Sequence, residues 1–146
     1  MPRIREDWFE AETLHRAAHS GDIEEMARLV EAGFSVNEFD DLSRTPLHYA
    51  VEAEDYKAAQ WLLEHGAEVN ANQEELIGET PLSLAVQRDY PEMVELLLKH
   101  GANPDIQGWM QLTARIRAHR RKDDDGTRIV AILEQYKPST NAGGRR

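Results

Sequence analysis

Six histidines are the first residues to weigh, because an imidazole can move a proton or hold a metal near neutral pH. They stand at His15, His19, His48, His65, His100 and His119. His65 and His100 each precede a glycine at the end of an apolar stretch, where an imidazole complements a helix dipole. His19 and His119 fall near turns at opposite ends of the chain, too far apart to pair. The run Asp123-Asp124-Asp125-Gly126 could open a cation loop, but it lacks the alternating ligands and distal Glu of an EF-hand. It reads as a solvated turn or a local partner for Arg120 and Arg121. Carboxylate pairs abound, yet in a chain with 27 acidic residues they carry no case for general acid–base catalysis. There is no phosphate-binding glycine loop, dinucleotide fingerprint or nucleophile elbow. The chain has no cysteine, which excludes disulfides, zinc–thiolate sites and thiol catalysis. The expectation is a protein with no catalytic residue, cofactor or metal, and not an enzyme.

Charge points instead to partners. The net charge is −10, unevenly spread. Residues 1–112 hold 8 Lys and Arg against 23 Asp and Glu, and residues 113–146 hold 9 against 4. An acidic body with a basic end speaks to association rather than fold. The cluster Arg115 to Lys122 could meet a phosphate backbone. The acidic body would repel one, and no aromatic residues interleave with the arginines.

The elements that must position these residues show in a repeat. Gly33-Phe34-Ser35-Val36-Asn37, Gly66-Ala67-Glu68-Val69-Asn70 and Gly101-Ala102-Asn103-Pro104-Asp105 open the same phrase, at spacings of 33 and 35. Thr45-Pro46-Leu47-His48-Tyr49-Ala50 and Thr80-Pro81-Leu82-Ser83-Leu84-Ala85 follow two of them, with a weaker echo at Thr13-Leu14-His15-Arg16-Ala17. An apolar helical stretch precedes each glycine. Thr45 and Thr80 suit N-caps. Pro46 and Pro81 suit the first helical position, where a missing N–H costs nothing. The glycines suit a left-handed helix end. Four helix pairs result, at about 8–33, 45–66, 80–101 and 113–136, with the second helix of each pair expected to be the more enclosed. No pair can bury its apolar face alone, so each depends on stacking.

This pattern resembles the ankyrin repeat family, with its 33-residue period and T-P-L-H-x-A signature. Thr45 to Ala50 matches at every named position, and the resemblance runs from about Trp8 to Tyr136. It implies an all-α solenoid of stacked antiparallel helix pairs with projecting β-hairpin-like loops. The reading is one domain over 1–136, with units at about 8–40, 41–75, 76–108 and 109–136, and a flexible tail at 137–146. It also implies that His48, and its counterpart His15, support the turn by hydrogen bonding.

The departures are specific. Two extra residues lie between Asn70 and Thr80, lengthening one loop. The inter-helix turn position held by Gly21 falls on Glu54 and Asp89 in the next two pairs, of which Asp89 is the easier to accept there. The fourth unit reads Thr113-Ala114-Arg115-Ile116-Arg117-Ala118, with Arg115 where the core Leu belongs. About three extra residues within Arg121 to Gly126 then precede a helix expected from Thr127. A polar outer face is what a terminal unit needs for solubility.

The resemblance implies that partners meet the concave face, built from the loops and the exposed side of each first helix. The first loop offers Phe39, Asp40, Asp41, Leu42 and Arg44. The second offers Asn72, Glu74, Glu75, Leu76 and Glu79. The third offers Gln107, Trp109, Met110 and Leu112. Arg16, His19, Tyr49, Glu52, Gln87 and Arg88 come from the first helices. Acids in the middle and Phe39, Trp109 and Met110 as apolar anchors predict a basic protein partner. Trp109 could instead fold back over the degenerate end. Trp8 and Phe9 would cap the other end, and Trp61 would sit in the core.

The function expected is protein binding by an inhibitor or adaptor, one version being an immunity-type protein that occludes a basic toxin. The alternative is a nucleic-acid-associated or self-assembling adaptor using the basic C-terminal end. Met1 to Asp7 do not read as a secretory signal, and no stretch approaches the ~18 apolar residues of a membrane helix. A cytoplasmic protein, monomeric on its own, is expected.

Overall fold

A computed structural model describes residues 12–73 and 78–136. Among the described residues, eight α-helices form four antiparallel pairs: α1 (Thr13–Ser20) with α2 (Ile23–Glu31), α3 (Pro46–Glu52) with α4 (Tyr56–Glu64), α5 (Pro81–Ala85) with α6 (Pro91–Lys99), and α7 (Ala114–Arg120) with α8 (Asp124–Gln135). The described residues contain no strand. The first helices stack in the order α1, α3, α5, α7.

Two kinds of cap start the helices. The Thr80 hydroxyl accepts the Ser83 N–H at 3.1 Å, and the Thr113 hydroxyl accepts the Ile116 N–H at 3.1 Å. Thr45 is extended, with φ −96° and ψ 170°, and Pro46 opens α3 behind it. Second helices start on aspartate. Asp22, Asp55 and Asp123 accept the N–H of Glu25, Ala58 and Gly126 at 3.1, 3.0 and 3.1 Å. Each satisfies a donor that the first turn would otherwise leave unpaired, and adds negative charge where the helix dipole favours it. The third pair departs: Tyr90 takes the Asp position and Pro91 opens the helix with no side-chain cap.

Because Asp123 is the cap, α8 starts at Asp124 rather than Thr127. The extra residues of the fourth unit are therefore partly a first helical turn. The expectation about enclosure is also corrected. In the first three pairs the first helix is the more densely buried: Leu47, His48, Ala50 and Val51 on α3 are all closed off, whereas α4 keeps Tyr56, Gln60 and Trp61 half-exposed. Among the described residues, α3 and α5 each have a stacked first helix on both sides and α1 has one, with the second-helix layer behind them. Trp61 is thus not a core residue. It packs against the core from the flank, with its ring stacked on His65 at 3.7 Å.

The inter-helix turns differ, and not in the way the residue types suggest. Gly21 has φ 76°, and Glu54 takes the same left-handed conformation at φ 57°. Asp89 does not. There the carbonyls of Val86 and Arg88 accept from Arg121 Nη1 at 3.0 and 2.6 Å, so the end of α5 is satisfied from the next unit instead.

Inter-unit bonds set the spacing of the stack. Asn37 donates to the Gly66 carbonyl at 3.1 Å and accepts the Glu68 N–H at 2.7 Å. Asn70 does the same to Gly101 at 3.3 Å and Asn103 at 2.8 Å. Asp105, at the third such position, holds Arg115 instead, at 2.8 and 3.3 Å. That contact explains how an arginine fits at the leucine position of the last unit.

Candidate functional site

Histidine holds the concave side together. His48 Nδ1 accepts the Thr45 N–H at 2.9 Å, so Nε2 carries the proton and donates to the Glu79 carbonyl at 2.5 Å. Burial presses its pKa down to about 4, keeping it neutral. His15 reaches the carbonyls of Glu38 and Arg44 at 2.8 and 3.2 Å through Nε2. Unlike His48, its Nδ1 has no partner. The difference follows from the cap. Glu12 stands where Thr45 does, but its ψ is 3° rather than extended.

The first loop is folded by Asp40. Its Oδ1 accepts the N–H groups of Leu42 and Arg44 at 2.9 and 3.0 Å, and the main chain closes with Asp40 N–H to Arg44 O at 2.9 Å. Tyr49 on α3 donates its hydroxyl to the other Asp40 oxygen. Burial, and then the adjacent carboxylate, raise the Tyr49 pKa, so the phenol stays a donor. Arg44 pairs with Glu52 at 2.5 Å and lies 5.7 Å from the Tyr49 ring centroid. Asp40, Arg44, Tyr49 and Glu52 are therefore one network. Asp41 is exposed, Phe39 is half-buried rather than a free tip, and Leu42 projects at 68% exposure.

The third loop is organised by Glu79. Its carboxylate accepts from Ser83 Oγ at 2.7 Å, from Arg117 Nη2 at 2.8 Å and from the Trp109 N–H at 3.2 Å. Gly108 allows this approach: a Cβ there would lie 2.8 Å from Glu79 Oε1 and 2.9 Å from the Gly78 carbonyl. Beyond it, Trp109 to Gln111 form one 3-10 turn in which Met110 and Gln111 hold φ of 58° and 61°. Two consecutive left-handed side chains cost strain. The turn places Met110 outward at 68% exposure and Trp109 at 47%. Trp109 does not fold back over the last unit.

Of the twelve residues singled out in sequence, the structure joins Asp40, Arg44, Tyr49 and Glu52, and joins Glu79 to the Trp109 backbone. Gln87 is exposed on the same helix layer and donates to the Ser83 carbonyl at 2.8 Å. Glu74 and Glu75, with Leu76, lie outside the described residues, as do Trp8, Phe9 and the 137–146 segment. Asp40, Glu52 and Glu79 are engaged within the chain, so less of the acidity faces outward than the sequence suggests. Sequence reasoning missed the Glu79–Arg117 link. It also left Leu42 out of the anchor set, although Leu42 and Met110 each stand three residues before a capping Thr, which is the signal that pairs them.

The basic end is largely spent. Arg115 pairs with Asp105, Arg117 with Glu79, and Arg121 with Asp89 and Asp123. Arg120 and Lys122 are exposed. Among the described residues, Asp89, Asp123 and Asp125 form a carboxylate cluster close enough to share a cation. The Arg121 guanidinium already sits on two of them.

Residues 14–63 and 47–98 match the family model described as ankyrin repeats (many copies). A 63-residue stretch, 42% of the chain, is 39% identical to the palmitoyltransferase AKR1 of Gibberella zeae. The match spans 9% of that protein. No described helix is long and apolar enough to cross a membrane.

Proposed function

Because the chain belongs to the ankyrin-repeat family, whose repeats are non-catalytic protein-interaction modules, we propose that it binds a basic partner protein through its loop edge and first-helix face, as an inhibitor or adaptor. The observation that carries this reading is the exposure of Leu42, Trp109 and Met110 at loop tips hydrogen-bonded to Asp40 and Glu79. Large apolar side chains on fixed, polar-rimmed loops are the anchors from which protein interfaces are built. Fixing them beforehand lowers the ordering cost of association. The net charge of −10 supports a basic partner, because complementary charge raises the association rate and disfavours acidic competitors. An immunity-type protein that covers a positively charged enzyme cleft is one form of this reading. The pairing of Arg115, Arg117 and Arg121 within the chain argues against the nucleic-acid alternative. The test is association of the chain with a captured basic partner across ionic strength. The association rate should fall steeply as salt rises, while the dissociation rate changes little. A rate indifferent to salt would remove the basic partner from the proposal.

A further inference from the structure

At the N-terminal end of the concave side lies a concavity of about 420 Å³ lined by Glu12, His15, Arg16, His19, Asp40 and Tyr49. Its volume is in the lower part of the ~300–1,000 Å³ typical of ligand sites. Three rings stand in it edge to face: His15 and Tyr49 have centroids 5.8 Å apart at 87°, and His19 and Tyr49 6.2 Å apart at 75°. The Tyr49 ring already has one cation near it, the Arg44 guanidinium. Two carboxylates, Glu12 and Asp40, face one guanidinium, Arg16. His15 is 97% buried by its 3% exposure, and with Nε2 spent on two carbonyls its Nδ1 is an acceptor without a donor.

Aromatic rings and two carboxylates against the single guanidinium of Arg16 suit one chemical class of ligand, an alkyl chain ending in a cation. We propose that this concavity is a specificity pocket for a lysine or arginine side chain of the partner. The inference rests on the partner-binding reading above and names its chemistry at one point. The alkyl stem lies along Tyr49 and His19, and the cationic head is drawn to Glu12, with Asp40, whose oxygens are already bonded to Leu42, Arg44 and Tyr49, adding only its charge.

The test uses the full chain and n-butylguanidinium as the ligand, followed by NMR of the Tyr49 and His19 ring signals. The expected result is a saturable shift in the millimolar range, weakened roughly two- to fivefold in His19→Ala, as loss of one ring contact implies, and similarly in Glu12→Gln. Both changes are at or near the surface and leave the core untouched. An equal response to 1-butanol would make the concavity merely apolar, and a stronger response to butyrate would assign it to Arg16 and an anion. Either result, or no saturable shift, overturns the proposal. The two readings fail separately. A partner that depends on Trp109 and Met110 but ignores His19→Ala and Glu12→Gln sinks the pocket alone. A chain that takes the cation but binds no protein by its loop tips sinks the larger reading alone.

Discussion

His48 donates to the main-chain carbonyl of Glu79, and the Glu79 side chain then accepts from Arg117 and the Trp109 N–H. One histidine and one carboxylate thus couple the second, third and fourth units and fix the loop that carries Trp109. The stack is a chain of nearest-neighbour contacts, and this is the link that reaches across most of them.

His48 makes stability depend on pH with a defined sign. Its folded pKa is about 4, lowered from 6.5 by burial. The unfolded chain therefore binds the extra proton between those values. The contribution is fully present above about pH 6.5 and is lost as pH falls toward 4, amounting to about 3 kcal/mol in all. Asp123 and Glu25, held low by Arg121 and Arg28, add their own loss below that window. Urea midpoints from pH 7 to 4 should fall, and His48→Gln, less stable at pH 7, should show a much flatter slope there.

The Glu79–Arg117 pair is mostly buried, with side chains 20% and 17% exposed. Removing either partner leaves a charge in a poorly solvated place. Glu79→Gln and Arg117→Met should each destabilise by about 1–3 kcal/mol. Their double-mutant cycle should return a coupling of about 1 kcal/mol. Glu79→Ala should also shift the backbone amide N–H resonance of Trp109, because that N–H loses its carboxylate acceptor.

Glu54 carries a side chain where the backbone is left-handed, and its pair with Arg88 is loose at 3.7 Å. Glu54→Gly should therefore raise stability by up to about 1 kcal/mol. Gly21→Ala should do the reverse, by about 2 kcal/mol or more. At φ 76° the new Cβ would also lie 2.0 Å from Asp55 Oδ2, displacing the cap of α4. Thermal melts of the two variants separate these outcomes.

The fold was legible because ankyrin punctuation is local. Thr45, Pro46 and Gly66 act within one or two helical turns, so their types reveal their conformations. His48 was legible as a turn support for the same reason. The Asp22, Asp55 and Asp123 caps were equally local and could have been read from their spacing. The candidate surface was less legible, because it depends on which charges find each other across units. Asp40, Glu52 and Glu79 looked like outward acidity, and each proved to have a partner 8 to 38 residues away in the chain. The Asp89 turn was misread for a related reason: its carbonyls are satisfied by Arg121, more than thirty residues on.

The central claim is that Leu42, Trp109 and Met110 anchor a protein partner. The most direct measurement is capture from native lysate by the wild-type chain and by a Leu42→Ser, Trp109→Ala, Met110→Ala variant, read by mass spectrometry, with melting temperatures checked to be equal. The account predicts a protein retained by the wild type and lost by the variant, since each anchor is worth about 1–3 kcal/mol, or roughly 5- to 150-fold in affinity. A partner retained equally by both would place the binding surface elsewhere and contradict the account.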